Sequence, residues 1–310
     1  MKHPLVYVDL PNKEYHKLIN NSLKYALLSL PFTFDRLSLH KGKSALNATN
    51  SRILNILKGK LAEAIFEYFC LINSLRVDFD TPKTPYFQTD KRDFYFEDTE
   101  IDIKNNFVYH TGDFYSNYLQ LPALIPNRFK NDQWEKRLKK YDKPHVAHIF
   151  SFMKAADLHN HKRGKSFIEL NLSHQQLQLI YNYFLKYKGQ KQATAAFQKE
   201  DYLRAILGQQ SLAELYSINF YPKLVIAGMA NEKHWPLFKN TGPNEADNFM
   251  QQPMANWHLK VGAKKSLSFL NGSIWCTITN KTLPVSLLSP ITELFPILKN
   301  RVVGGDWVNY

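Results

Sequence analysis

The chain has 310 residues, with 40 Lys and Arg against 27 Asp and Glu and a formal net charge of +13. That length suits one large elaborated α/β domain or two smaller ones, and the charge makes a polyanion the natural partner class, nucleic acid ahead of an anionic membrane. Two distant cysteines, Cys70 and Cys276, exclude a disulfide scaffold and a Cys-based zinc site. No apolar run reaches the about 18 residues of a spanning helix and no leader is apparent at the N-terminus, so a cytoplasmic protein without a membrane partner is expected.

Taken in order, a short N-terminal strand precedes a helix over Lys13–Leu30, with Tyr15, Leu18, Leu23, Tyr25 and Ala26 at helical spacing and Pro31 as its stop. Arg36–Lys43 reads as a basic loop. Asn50 or Ser51 caps a long helix to about Asn73, with an apolar face of Leu54, Leu57, Leu61, Ile65, Tyr68 and Ile72. A second stripe holds Gly59, Glu63, Phe66 and Cys70, where the glycine is expected to admit a close neighbour. Strands are expected at Leu75–Phe79, Tyr86–Thr89, Asp93–Phe96 and Ile101–Val108. A basic helical stretch with Trp134 comes next over Arg128–Lys143, then a buried strand at His145–Met153 and a polar loop over Asp157–Lys165. Ser173–Leu215 reads as helical and Tyr221–Ala227 as a strand. Trp257–Asn280 reads as hairpins turning at Asn271-Gly272.

The chemistry concentrates between Glu63 and Asp102, an acidic region in a basic protein. Residues i and i+2 of a strand share a face, so Asp102 and Lys104 project together while Ile101 and Ile103 point into a core. Asp102–Lys104 is the only acid–x–Lys in the chain. It follows Asp93 across a tight acidic turn and comes after the helix bearing Glu63. A phosphodiester repels an attacking anion; a divalent ion screens the phosphate, acidifies a water and stabilises the leaving oxygen, and Mg²⁺ prefers hard oxygen ligands. Read without that chemistry, the same residues make a solvated, salt-bridged hairpin. His159-Asn160-His161 falls in the polar loop, His145 and His148 flank a buried strand, and Gly-rich phosphate loops are missing.

Gly59–Glu63 on a helix, then Asp93, then Asp102-Ile103-Lys104 on consecutive strands, resembles the PD-(D/E)XK superfamily of restriction-endonuclease-like nucleases over roughly residues 50 to 155. Arg92 stands where a proline is often found. The resemblance implies an α/β fold with a restriction-endonuclease-like core, a mixed β-sheet flanked by helices. The core would be residues 50–156 and 217–240, with a helical N-terminal extension (1–49), an inserted helical subdomain (157–216) and a β-rich C-terminal region (241–310). It implies catalysis by Asp93, Asp102, Lys104 and Glu63, with Lys104 serving the nucleophile. Mg²⁺, with Mn²⁺ as a substitute, would be held by Asp93, Asp102, Glu63 and Ile103. Basic clusters that include Lys58, Lys60, Arg128, Lys130, Arg137, Lys140, Lys162 and Arg163 are candidates for contacts to DNA phosphates. The expected activity is hydrolysis of double-stranded DNA, foremost by a type II restriction enzyme acting as a homodimer on palindromic sites. The alternatives are a repair, transposition or mobile-element nuclease and a non-catalytic nucleic-acid-binding protein.

Overall fold

Twelve consecutive residues, Thr99–His110, form the strand on which the architecture turns. The structure, a computed structural model, describes residues 3–32, 44–88, 92–110, 118–127, 133–136, 145–159, 162–188, 190, 197–241, 258–260, 265–269, 272–276, 280–301 and 307–308. The expected basic loop Arg36–Lys43 and most of Arg128–Lys143 lie outside these residues; of the latter, a helical turn at Gln133–Lys136 is described. No described helix is long and apolar enough to cross a membrane.

The first elements are β1 (Val6–Val8) and α1 (Asn12–Ser29), which buries Tyr15, Ile19, Leu23, Ala26 and Leu27 on one side and runs into a 3₁₀ turn holding Pro31. Helix α2 (Ala45–Ile72) begins earlier than the sequence suggests. Its cap is Ser44, whose Oγ accepts from the Asn47 N–H at 3.3 Å, so Asn50 and Ser51 lie inside the helix. Ala45, Leu46 and Ala48, all compatible with helix, extend it backwards to the first side chain able to take an orphan N–H.

The expected division of α2 into an apolar face and a separate glycine–glutamate stripe is also corrected. Leu57, Leu61 and Ile65 are buried, but so are Ile53, Ala62, Phe66, Phe69 and Cys70, while Ile72 is exposed. The helix packs against α1, the sheet and a later helix, and a helix covered on several sides loses its single stripe. A Cβ at Gly59 would meet nothing within 4 Å, so among the described residues no neighbour makes the expected close approach there.

Leu75–Phe79 and residues 86–88 do not form strands, and Thr89 lies outside the described residues. Asp78 makes one isolated bridge to Tyr95, and Pro82 and Pro85 interrupt the residues leading to Tyr86. The hairpin is as expected: β2 (Phe94–Phe96) pairs antiparallel with β3 (Thr99–His110) through Phe94↔Ile101 and Phe96↔Thr99. Phe94 is fully buried, stacked on Phe66 at 5.3 Å and against Phe79 at 5.1 Å. The two-residue turn holds Glu97 at φ 50°, a region that costs a non-glycine residue about 1–2 kcal/mol. Glu97→Gly is expected to raise thermal stability by roughly 0.5–1 kcal/mol, read by denaturant melts at equal slope.

After β4 (Pro122–Pro126) and α3 (Gln133–Lys136), β5 (His145–His159) runs parallel to β3, from Thr99↔His145 through Asp102↔His148 to Tyr109↔Ala156. It continues through what reads as a polar loop, and β6 (Lys162–Ser166) folds back on it. Polar residues are tolerated there because they are matched. Lys154, buried, pairs with Asp157 at 2.7 Å and lies 4.8 Å over the Phe220 ring.

Strands β7 (Ile168–Leu170) and β8 (Tyr216–Ile218) pair with each other and bracket the helical segment. That segment comprises α4 (His174–Tyr187), which starts with a Ser173–Gln176 capping box, and α5 (Lys199–Leu207), whose Tyr202 hydroxyl donates to the Leu27 carbonyl of α1 at 3.0 Å. Strand β9 (Leu224–Ala230) starts just after Pro222 and pairs with both β5 and β1. Gly228, at φ 148°, sits opposite the irregularity between Phe150 and Ser151, where a Cβ would stand 2.7 Å from the Ser289 carbonyl oxygen.

The later strands are β10 (Lys239–Thr241), β11 (His258–Lys260), β12 (Lys265–Phe269), β13 (Gly272–Cys276), β14 (Asn280–Pro284) and β15 (Trp307–Val308). A C-terminal hairpin is present, but Gly272 is the first residue of β13, paired with Phe269, and not part of the turn as expected; Asn271 lies outside the described residues. Among these residues the main sheet runs β11-β12-β13-β3-β5-β9-β1-β15, with β2 on β3 and β6 on β5. The fold is therefore mixed α/β, a mixed sheet flanked by helices, and β3 and β5 lie at its centre.

Candidate functional site

Alternation along β3 decides which side chains meet. Ile101 and Ile103 are buried in the core shared with α2, which leaves Asp102 and Lys104 together on the other face. Lys104 Nζ stands 2.5 Å from Asp102 Oδ2, and both side chains are largely covered. Asp93, at the start of the hairpin, accepts the Ile103 N–H on Oδ2 at 2.5 Å and hydrogen-bonds Asp102 through its carboxyl. The two acids and the lysine expected to meet at one strand end do so. Glu63 projects from α2 close enough to raise the pKa of Asp93.

Electrostatics divide the two aspartates. Asp93 is pushed well above the ordinary carboxylate range, first by burial and then by Glu63 and Asp102, against the smaller opposing pull of Lys60 and the Ile103 N–H. For Asp102, burial pushes upward, but Lys104, His148 and the hydrogen bond from Asp93 outweigh it and hold the carboxyl at about 2. The two carboxyls are thus pushed in opposite directions. A raised pKa in the folded state favours folding below the unfolded value and loses that advantage as pH rises through the folded one. Asp93→Asn is accordingly expected to stabilise the fold, by about 1 kcal/mol, with a gain that grows from acid to alkaline pH. Thermal melts at pH 5 and pH 8.5 read this, and a gain larger at pH 5 would contradict it.

Two basic neighbours complete the cluster, one legible in the sequence and one not. Lys60 Nζ stands 2.5 Å from Glu63 Oε2 and 4.9 Å over the Tyr25 ring. His148, buried on β5 in register with Asp102, places Nδ1 3.7 Å from Asp102 Oδ2. The Lys60–Glu63 spacing of three residues is a visible helical pairing signal. The His148 contact depends on a parallel register that no local pattern reveals. Beside Asp93, Arg92 Nε donates to Glu100 Oε2 at 3.0 Å, with both side chains almost fully buried.

A cavity of about 480 Å³ opens between α1, α2 and the 79–86 segment, with Glu63, Asp93 and Ile103 on its wall. Glu63, Asp93 and Asp102, and the backbone carbonyl of Ile103, offer hard oxygens of the chemical type Mg²⁺ prefers. The repulsion of Asp93 by Glu63 and Asp102, which adds to burial in raising its carboxyl, is what a divalent cation would relieve. Among the described residues no three His, Cys, Asp or Glu side chains already converge as a metal-holding group. Lys60 and Lys104 occupy Glu63 and Asp102, so a cation would require the two ammonium groups to swing aside.

Of the candidate phosphate-binding residues, Lys58 donates to Ser166 Oγ at 3.3 Å and lies over the Phe107 and Phe167 rings at 5.8 and 5.4 Å. Lys60 belongs to the acid cluster. Lys162 and Arg163 lie on β6, and Arg128, Lys130, Arg137 and Lys140 fall outside the described residues. No protein-family model, no curated protein and no solved structure matches the chain.

Proposed function

We propose that this protein is a divalent-metal-dependent deoxyribonuclease with a restriction-endonuclease-like core, hydrolysing phosphodiester bonds of double-stranded DNA. The observation that carries the reading is the Asp102–Lys104 pair on one strand face with Asp93 hydrogen-bonded beside it, the two carboxyls pushed in opposite directions by their surroundings. Asp93, Asp102, Glu63 and the Ile103 carbonyl would hold Mg²⁺, with Mn²⁺ as a substitute. The ion supplies charge screening of the phosphate and a more acidic water.

The chain's own groups do the rest. With Asp102 engaged by a bound ion, Lys104 would be free to donate a hydrogen bond to the attacking water and orient its lone pair toward phosphorus. His148, behind Asp102, limits where that carboxylate can turn. Because β3 is a central strand, these groups are held more rigidly than a loop would hold them. Within the class we favour a type II restriction enzyme, which for a palindromic site would act as a homodimer. A second reading, a non-catalytic nucleic-acid-binding protein, draws on the Lys60–Glu63 and Lys104–Asp102 ion pairs, which satisfy the acids without a metal.

The test is incubation of purified protein with plasmid and phage DNA in Mg²⁺, Mn²⁺ or EDTA. Metal-dependent discrete bands are the expected result. A metal-dependent smear would keep the nuclease and replace restriction with a repair or mobile-element role. Salt-sensitive binding without cleavage of any substrate would overturn the catalytic reading.

A further inference from the structure

Building on the nuclease reading, we propose that the cavity beside the acid cluster receives one extrahelical nucleotide of the strand being cut, so that the protein binds a duplex carrying such a nucleotide more tightly than a fully paired one. At about 480 Å³ the cavity is of small-molecule size; it cannot admit a double helix, whose grooves are read from outside. Its wall nevertheless includes Glu63, Asp93 and Ile103 of the proposed reaction centre. A phosphate presented to those groups therefore has a neighbouring nucleotide within reach of the cavity.

The remaining walls have the chemistry of nucleotide binding. Tyr25, Phe79 and Tyr86 supply rings, Asn21 and Thr84 supply hydrogen-bonding groups able to meet a base edge, and Lys24 supplies charge for the flanking backbone, while Lys83 is paired with Asp80 at 2.8 Å and Glu67 lies on the same wall. Aromatic stacking tolerates any base, and cationic groups track the backbone, the combination by which unpaired strands are held. The rings are kept in place by packing. Phe79 lies 6.4 Å from Phe66 and 5.1 Å from Phe94 by centroids, and Tyr86 lies 5.9 Å from Phe32 and 6.1 Å from Phe197. The cavity is thus pre-formed, and the ordering cost falls on the nucleotide, least where it is already unpaired.

The test compares two DNA probes, a fully paired duplex and the same duplex with one extra bulged 5-iodouracil, bound in Ca²⁺ to hold off cutting. The full-length protein is used as wild type, Ala64→Phe and Thr84→Phe, two variants that fill the cavity from different walls. Wild type is expected to bind the bulged probe at least about tenfold more tightly than the paired one and to photo-crosslink it at Tyr25 or Tyr86. Both filled variants are expected to lose the preference and the crosslink while keeping the paired-duplex affinity. Equal affinity for the two probes, a crosslink mapped elsewhere, or a preference that survives both fillings would overturn the proposal. A wild-type preference and crosslink in a protein that never cleaves in Mg²⁺ would sink the nuclease reading and leave the nucleotide site standing.

Discussion

Asp102→Asn is expected to lower the rate of DNA cleavage by about a thousandfold or more, equivalent to roughly 4 kcal/mol of barrier, while leaving the fold and the salt-sensitive binding of DNA in place. The substitution preserves volume and one acceptor oxygen but removes the charge that pairs with Lys104 at 2.5 Å and faces His148 at 3.7 Å. Asp102 is the member of the cluster held ionised, at about 2, so its charge is present throughout the neutral range and is available to a cation without first losing a proton. Lys104→Ala should also lose cleavage, and Lys104→Arg should not restore it, because a planar guanidinium does not offer the compact donor of an ammonium. Single-turnover cleavage of a labelled duplex reads the chemical step free of product release. A variant within tenfold of wild type would remove Asp102 from the mechanism.

Arg92→Ala is expected to cost about 3–5 kcal/mol of stability. Arg92 and Glu100 are 6 % and 0 % exposed and joined at 3.0 Å, so truncating the arginine leaves a carboxylate in the interior without its opposite charge. Removing both charges is a different change. Arg92→Met with Glu100→Met substitutes apolar volume for the pair, and buried pairs replaced in this way are often neutral or stabilising. The double variant should therefore recover most of the loss. Denaturant melts of the two single variants and the double variant give the coupling directly. A single-variant loss below about 1 kcal/mol, in the range of an exposed ion pair, would show that the hairpin does not depend on this contact.

The pair also explains Arg92 where the resembled superfamily often carries proline. Arg92 precedes Asp93 and Glu100 stands opposite Tyr95, so the ion pair bridges the hairpin and contributes to the spacing of Asp93 and Asp102. Much of that hairpin was legible from alternation, because Phe94, Ile101 and Ile103 mark one buried face and leave Asp102 and Lys104 on the other. What local pattern could not reveal was everything set by distant packing. The start of α2 was misplaced because Asn50 and Ser51 are good caps by residue type, while Ser44 lies farther back along a segment equally willing to be helical. Its buried stripe was drawn too narrow, because cover on several sides buries Phe66 and Cys70 as well as Leu57 and Leu61. The segment 157–165 reads as a loop because it is polar, yet β5 runs on to His159, with Lys154 paired to Asp157, and β6 from Lys162 pairs back on it. His148 looked like a structural histidine, and only the parallel register of β5 on β3 brings it to Asp102.

Calorimetric titration of Mg²⁺ and Mn²⁺ into wild type, Asp93→Asn and Asp102→Asn, each in two buffers of different protonation enthalpy, tests most directly whether Glu63, Asp93, Asp102 and the Ile103 carbonyl form one divalent-cation site. At a pH where Asp93 still carries its proton, wild type is expected to bind one ion and release a proton from Asp93, giving heats that differ between buffers. Asp93→Asn should bind more weakly with no proton released, and Asp102→Asn should bind weakly or not at all. No heat from wild type, or equal affinity in all three proteins, would contradict the account.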